Sequence, residues 1–114
     1  MNRKLVALAV GLFVGANAMA SGQQLVVGCY NVDKDGIQEI EIVNNDGIGE
    51  VTTLFTDGTI NVEDLGEPAS VHIESSFPLP SKGKITRTLQ WRHTGWAINS
   101  YDNGSISHDY IDCE

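Results

Sequence analysis

Asp-Gly recurs at even spacing, at Asp35-Gly36, Asp46-Gly47 and Asp57-Gly58, and Asn103-Gly104 follows near the end of the chain. These dipeptides supply the positive φ angles that tight hairpin turns require. Between them the apolar residues alternate with polar ones. Ile40 and Ile42 alternate with Glu39 and Glu41, Val71 and Ile73 with Ser70, His72 and Glu74, and Ile85, Leu89 and Trp91 with Lys84, Thr86, Thr88 and Gln90. A period of two marks half-buried antiparallel strands. After Ala20 there is no helical stripe of apolar residues free of Gly or Pro.

Reading between the turns predicts eight strands, at 24–31, 37–44, 49–56, 59–63, 69–76, 84–91, 95–101 and 105–112. "FPLPSKG", 77–83, reads as a proline-rich connection, and "RHTG", 92–95, as another tight turn. Short connections let neighbours pair in order, as a meander. Cys29 falls on the first strand and Cys113 on the last, and they are the only cysteines. A disulfide between them brings the two ends of the meander together. The expected fold is therefore an all-β, eight-stranded antiparallel meander forming a closed or nearly closed up-and-down barrel, with a two-sheet β-sandwich as the alternative. The short fourth strand, followed by "EDLGEP", is where such a barrel would split.

The amino-terminal segment, 1–20, reads differently. Arg3 and Lys4 precede an apolar run from Leu5 to Val14, and Ala18-Met19-Ala20 places small residues where a signal peptidase reads them. This is the pattern of a secretory signal peptide cut after Ala20, with an apolar run of about ten residues that falls short of a bilayer span. A single β domain, 21–114, would remain in the periplasm or outside the cell. "LVVGC", Leu25 to Cys29, also resembles a lipoprotein lipobox, but the polar run Ser21-Gly22-Gln23-Gln24 and the partner cysteine favour the disulfide. An oxidising compartment agrees with that bond.

Removing Arg3 and Lys4 leaves 5 basic and 15 acidic side chains, a net charge of −10. That field repels nucleic acid and anionic membranes and attracts basic proteins and metal cations.

One segment carries metal-like spacing. In "NVDKDGIQE", Asn31, Asp33, Asp35 and Glu39 offer side-chain oxygens and Ile37 a backbone carbonyl. The pattern resembles the calcium loop of FG-GAP and VCBS-type β-repeats, which implies calcium held by those five residues. Position twelve is Ile42 and no helix flanks the loop, so it is not an EF-hand. The competing reading is a hairpin turn, since "DKDGIQEI" at 33–40 is echoed by "NNDGIGEV" at 44–51.

Catalytic patterns are missing. His72, His93 and His108 show no metal spacing, and neighbours Ser107, His108 and Asp109 on a strand point to opposite faces. There is no G-x-S-x-G and no phosphate-cradling glycine loop. Arg87 stands on the apolar side of its strand, where a charge needs an acidic partner or serves a ligand. Trp91, Trp96, Tyr101 and Tyr110 cluster near the 92–95 turn, and Phe77, Pro78, Leu79 and Pro80 form a second apolar group. Phe77, Leu79, Trp91, Trp96 and Tyr101 are the candidate partner-binding residues if they are exposed.

The expected function is non-catalytic binding: an acidic inhibitor or binder of a basic protein, in which the 77–83 connection occludes a cleft. In size, cysteine count and inferred topology the chain resembles the small periplasmic inhibitors of c-type lysozyme, although it lacks the Ser-Gly-x-x-Tyr type motif of that family. The alternatives are a calcium-binding adhesion or envelope module using residues 31–39, and a carrier of a small ligand. Calcium is the one cofactor the chain suggests.

Overall fold

A computed structural model describes residues 22–114; the expected signal peptide over 1–20 lies outside the described residues. Eight antiparallel strands follow one another: β1 (Gln23–Cys29), β2 (Ile37–Asn45), β3 (Ile48–Phe55), β4 (Ile60–Asp64), β5 (Ser76–Lys82), β6 (Ile85–Trp91), β7 (Trp96–Asp102) and β8 (Ser105–Ile111). They form two four-stranded meanders, sheet A in the order β1-β2-β3-β4 and sheet B in the order β5-β6-β7-β8. No helix among the described residues is long and apolar enough to cross a membrane.

Turn chemistry sets the register. Asp46 and Gly47 (φ 55° and 87°) join β2 to β3, and Asn103 and Gly104 (φ 48° and 91°) join β7 to β8. Both are two-residue turns with positive φ at each position, whose twist matches that of the flanking strands. The alternation then sends one set of side chains inward. Val27, Ile40, Ile42 and Val51 from sheet A meet Phe77, Leu79, Leu89, Trp96 and Ile98 from sheet B in one core. Trp96 packs at 5.4 Å from Trp91 and 6.4 Å from Phe77 between ring centroids.

The barrel expectation is corrected: the two sheets do not close, and the molecule is a sandwich. The split falls after the short β4, where the connection 65–75 leads to β5. That connection covers one end of the core. Asn44 accepts a hydrogen bond from the Ala69 amide (2.7 Å) and donates to its carbonyl (2.9 Å), while the Gly49 amide donates to the Glu67 carbonyl (2.8 Å). β5 cannot extend a ladder outward with two donors missing at Pro78 and Pro80, which suits an edge strand. On the other flank, Gly28 and Glu114 exchange two backbone hydrogen bonds (3.1 and 2.8 Å) beside the Cys29–Cys113 disulfide, which spans 84 residues.

Two boundaries also move. The segment expected as the fifth strand, 69–76, is mostly irregular, and Val71 and Ile73 are exposed. "FPLPSK", expected as a connection, is itself the fifth strand. Two alternating residues between polar neighbours were too short a signal, and Phe77 and Leu79, two apart, carried the real alternation into the core.

Candidate functional site

The outer face of sheet A combines apolar and acidic side chains. Its register puts Leu25, Val43, Glu50 and Asp64 in one row across β1 to β4, with Glu41, Thr52 and Val62 in the next and Glu39, Leu54 and Ile60 beyond. Val43 and Leu54 are buried yet belong outside the core between the sheets, because the exposed side chains Leu25, Ile60 (48%) and Val62 (55%) flank them. None of the four strands contains a lysine or arginine. Its centre, Glu39, Glu41, Val43, Thr52 and Leu54, is buried, whereas Leu25, Ile60, Val62 and Asp64 at its edges are exposed, so that apolar and acidic side chains stand side by side on its rim.

At its β1 edge the face is sealed by Tyr30. Its ring lies over Gly28, where any Cβ would come within 2.6 Å of the Tyr30 hydroxyl, and its hydroxyl donates to Glu41 Oε2 at 2.5 Å. Glu41 is only 2% exposed, and its Oε1 has no hydrogen-bond partner among the described residues. Burial pushes the Glu41 carboxyl above its ordinary range, opposed by the Tyr30 hydrogen bond. The Tyr30 phenol is raised too, first by burial, then by its hydrogen bond and charge interaction with Glu41 and by the charges of Glu39 and Glu114.

The charge of the whole domain is partitioned between the sheets. Residues 22–75, which build sheet A and the connection after it, hold eleven acidic side chains and one basic one, Lys34; residues 76–114 hold four of each. All of the net −10 therefore belongs to the sheet A half.

Sheet B turns a different face outward. Gln90 Oε1 accepts from Arg92 Nη1 (3.3 Å), which fixes the amide so that Nε2 donates to Glu74 (2.9 Å). Asn99 Nδ2 must then donate to Gln90 Oε1 (2.8 Å) and to Thr88 Oγ1 (3.1 Å), leaving Asn99 Oδ1 to accept from His108 Nδ1 (2.6 Å). The network assigns His108 its Nδ1–H tautomer. Arg92 also donates to the Tyr110 hydroxyl (3.0 Å), which lowers that phenol's pKa. Ser107 and Asp109 point to the other side of the sheet, opposite Ser100 and Ile98.

The remaining expected site residues are scattered. Phe77, Leu79 and Trp96 lie in the core and Trp91 packs against it, so these four offer no docking face; Tyr101 is exposed on sheet B. Arg87 is buried and 3.8 Å from Asp35 Oδ2, the acidic partner its position required. In the 31–39 segment, Asn31, Asp33 and Asp35 all adopt positive φ (61°, 51° and 53°). Asn and Asp are the residues that tolerate this conformation, so the backbone accounts for their types without a ligand. Ile37 is buried in the core, and Glu39 lies on the outer face of sheet A. Among the described residues no three His, Cys, Asp or Glu side chains are grouped to hold a metal ion.

Sequence reasoning does not single out Leu25, Glu50, Ile60, Val62 and Asp64 on the rim of this face, nor the part-buried Tyr30–Glu41 pair. A signal existed: no lysine or arginine occurs between Lys34 and Lys82, while ten acidic residues do. Comparison with family models, curated proteins and solved structures finds no match for this chain.

Proposed function

We propose that this is an exported, non-catalytic binding protein that docks a basic protein on the outer face of sheet A, in the manner of an inhibitor of a lysozyme-type enzyme. The observation that carries this reading is the coincidence of exposed apolar side chains at both edges of sheet A, Leu25 on β1 and Ile60 and Val62 on β4, with strands that hold acids and no base. Charge steers the encounter and the apolar residues supply the affinity. The face itself takes the role first expected of the 77–83 segment, which is a strand. Calorimetric titration of the protein with a c-type lysozyme, at low and at high salt, with lysozyme activity followed in parallel, tests the reading. Saturable binding that weakens with salt and lowers activity supports it; no binding at low salt overturns it.

A further inference from the structure

We infer that the polar cleft at the β7–β8 end of the sandwich binds a small zwitterion, a molecule carrying one carboxylate and one ammonium group. It is independent of the docking reading above, since it lies on the inner side of sheet B.

The cleft has a volume of about 310 Å³, at the lower end of small-molecule sites, which run from about 300 to 1,000 Å³. Its floor is the continuation of the core. Leu89 and Ile98 face each other in the apolar interior, and one step outward Arg87, Ser100 and Ser107 form a row across β6, β7 and β8. Core-side positions thus turn polar toward this end of sheet B. A fold needs no buried arginine here, because taking a guanidinium out of water is costly unless its donors are filled.

Arg87 is 3% exposed and held from one side. Nε donates to the Pro80 carbonyl at 2.9 Å and Nη1 to the Asp35 carbonyl at 3.2 Å. The Asp35 carboxylate, at 3.8 Å, pairs with the guanidinium by charge but lies beyond hydrogen-bond range, so it does not occupy a donor. These bonds engage Nε and Nη1, which leaves Nη2 as the end of the guanidinium that can serve a ligand. Such donors, held rigid against a cavity, suit a carboxylate.

The cleft is not simply an anion site. Arg87 and Lys82 stand on the β5–β6 side, whereas Asp102 and Asp109 stand on β7 and β8. Arg87 and Asp109 are two strands apart and offset by two residues along the strand, since Asp109 pairs with Ile98, a backbone separation of about 12 Å with the Ser100 and Ser107 hydroxyls beside that line. With Asp35, three carboxylates face two cations. A bare anion therefore meets excess negative charge and a bare cation meets the guanidinium, but a zwitterion spanning the cleft from Arg87 to Asp109 satisfies both poles.

Backbone NMR titration of the protein with 4-aminobutyrate, butyrate and butylammonium tests this. Expected are saturable shifts at Arg87, Ser100, Ser107 and Asp109 with 4-aminobutyrate, and binding weaker by about tenfold or more for the two single-charge probes, the loss of one charge-assisted contact. Because Arg87 variants are liable to unfold, the variant used is Asp109→Asn, half-buried at the rim, which is expected to bring 4-aminobutyrate down to the affinity of butyrate. Absence of saturable shifts in these residues, equal binding of either single-charge probe, or an unchanged affinity in D109N overturns the proposal.

Discussion

Glu50 and Asp64 stand directly opposite each other across β3 and β4, two carboxylates on the exposed side of the sheet. Like charges in this position destabilise a strand pair by a few tenths to about 1 kcal/mol. In the proposed docking, a basic partner would supply the positive charge that this pair lacks. Glu50→Lys should therefore raise stability by about 0.5 kcal/mol in urea denaturation, through a new opposite-charge pair, while weakening the proposed binding of a basic protein. Lower stability together with intact binding would remove this explanation.

Glu41 makes stability pH-dependent in an unusual direction. Burial raises its folded pKa above the unfolded one, so the folded state holds the proton more tightly. Its contribution is favourable below the unfolded pKa and is lost as pH rises through the raised folded pKa. Glu41→Gln keeps an acceptor for Tyr30 and carries no charge. Its melting temperature should exceed that of the wild type at neutral pH, and the difference should vanish in acid, where Glu41 is protonated. A difference that grows in acid would contradict the assignment.

The Cys29–Cys113 bond and the Gly28–Glu114 hydrogen bonds join β1 to the chain end. In the chain-entropy model a cross-link over so long a loop is worth about 4 to 5 kcal/mol. The double variant Cys29→Ser with Cys113→Ser should lose most of that in denaturant titration, a large share of a small domain's stability. A loss below about 1 kcal/mol would mean that other contacts hold the two ends together.

For the 31–35 segment, positive φ separates two accounts of the same residues. Asp33→Asn tolerates that conformation and should leave stability within about 0.5 kcal/mol, whereas Asp33→Ala should cost about 1 kcal/mol or more. If calcium were the reason for Asp33, millimolar calcium would raise the melting temperature of the wild type, and D33N would abolish the rise.

How much of this was legible beforehand depended on how local the signal was. Asp46-Gly47 and Asn103-Gly104 announce their hairpins because a two-residue turn with two positive φ angles admits few other residues. Closure was not local. Whether β4 pairs with β5 depends on the 65–75 connection packing through Asn44 and Gly49, contacts between residues far apart in sequence. Pro78 and Pro80 suggested a loop because proline is a poor central-strand residue, yet on an edge strand that objection lapses. The outer face of sheet A was hidden for another reason: burial of Glu41 depends on Tyr30 folding over Gly28, whereas the gap in basic residues from Lys34 to Lys82 needed only counting.

The most direct measurement of the central claim is the affinity for a c-type lysozyme, at low salt, of a variant carrying both Glu50→Lys and Asp64→Lys. The pair exchanges one like-charge repulsion for another, so stability is held near constant while the face changes sign. Asp102→Lys with Asp112→Lys, exposed positions in the sheet B half, makes the same change in net charge. The account predicts that the first variant loses affinity by about a hundredfold and the second by no more than a few-fold. Equal losses in the two variants, or no loss in the first, would contradict it.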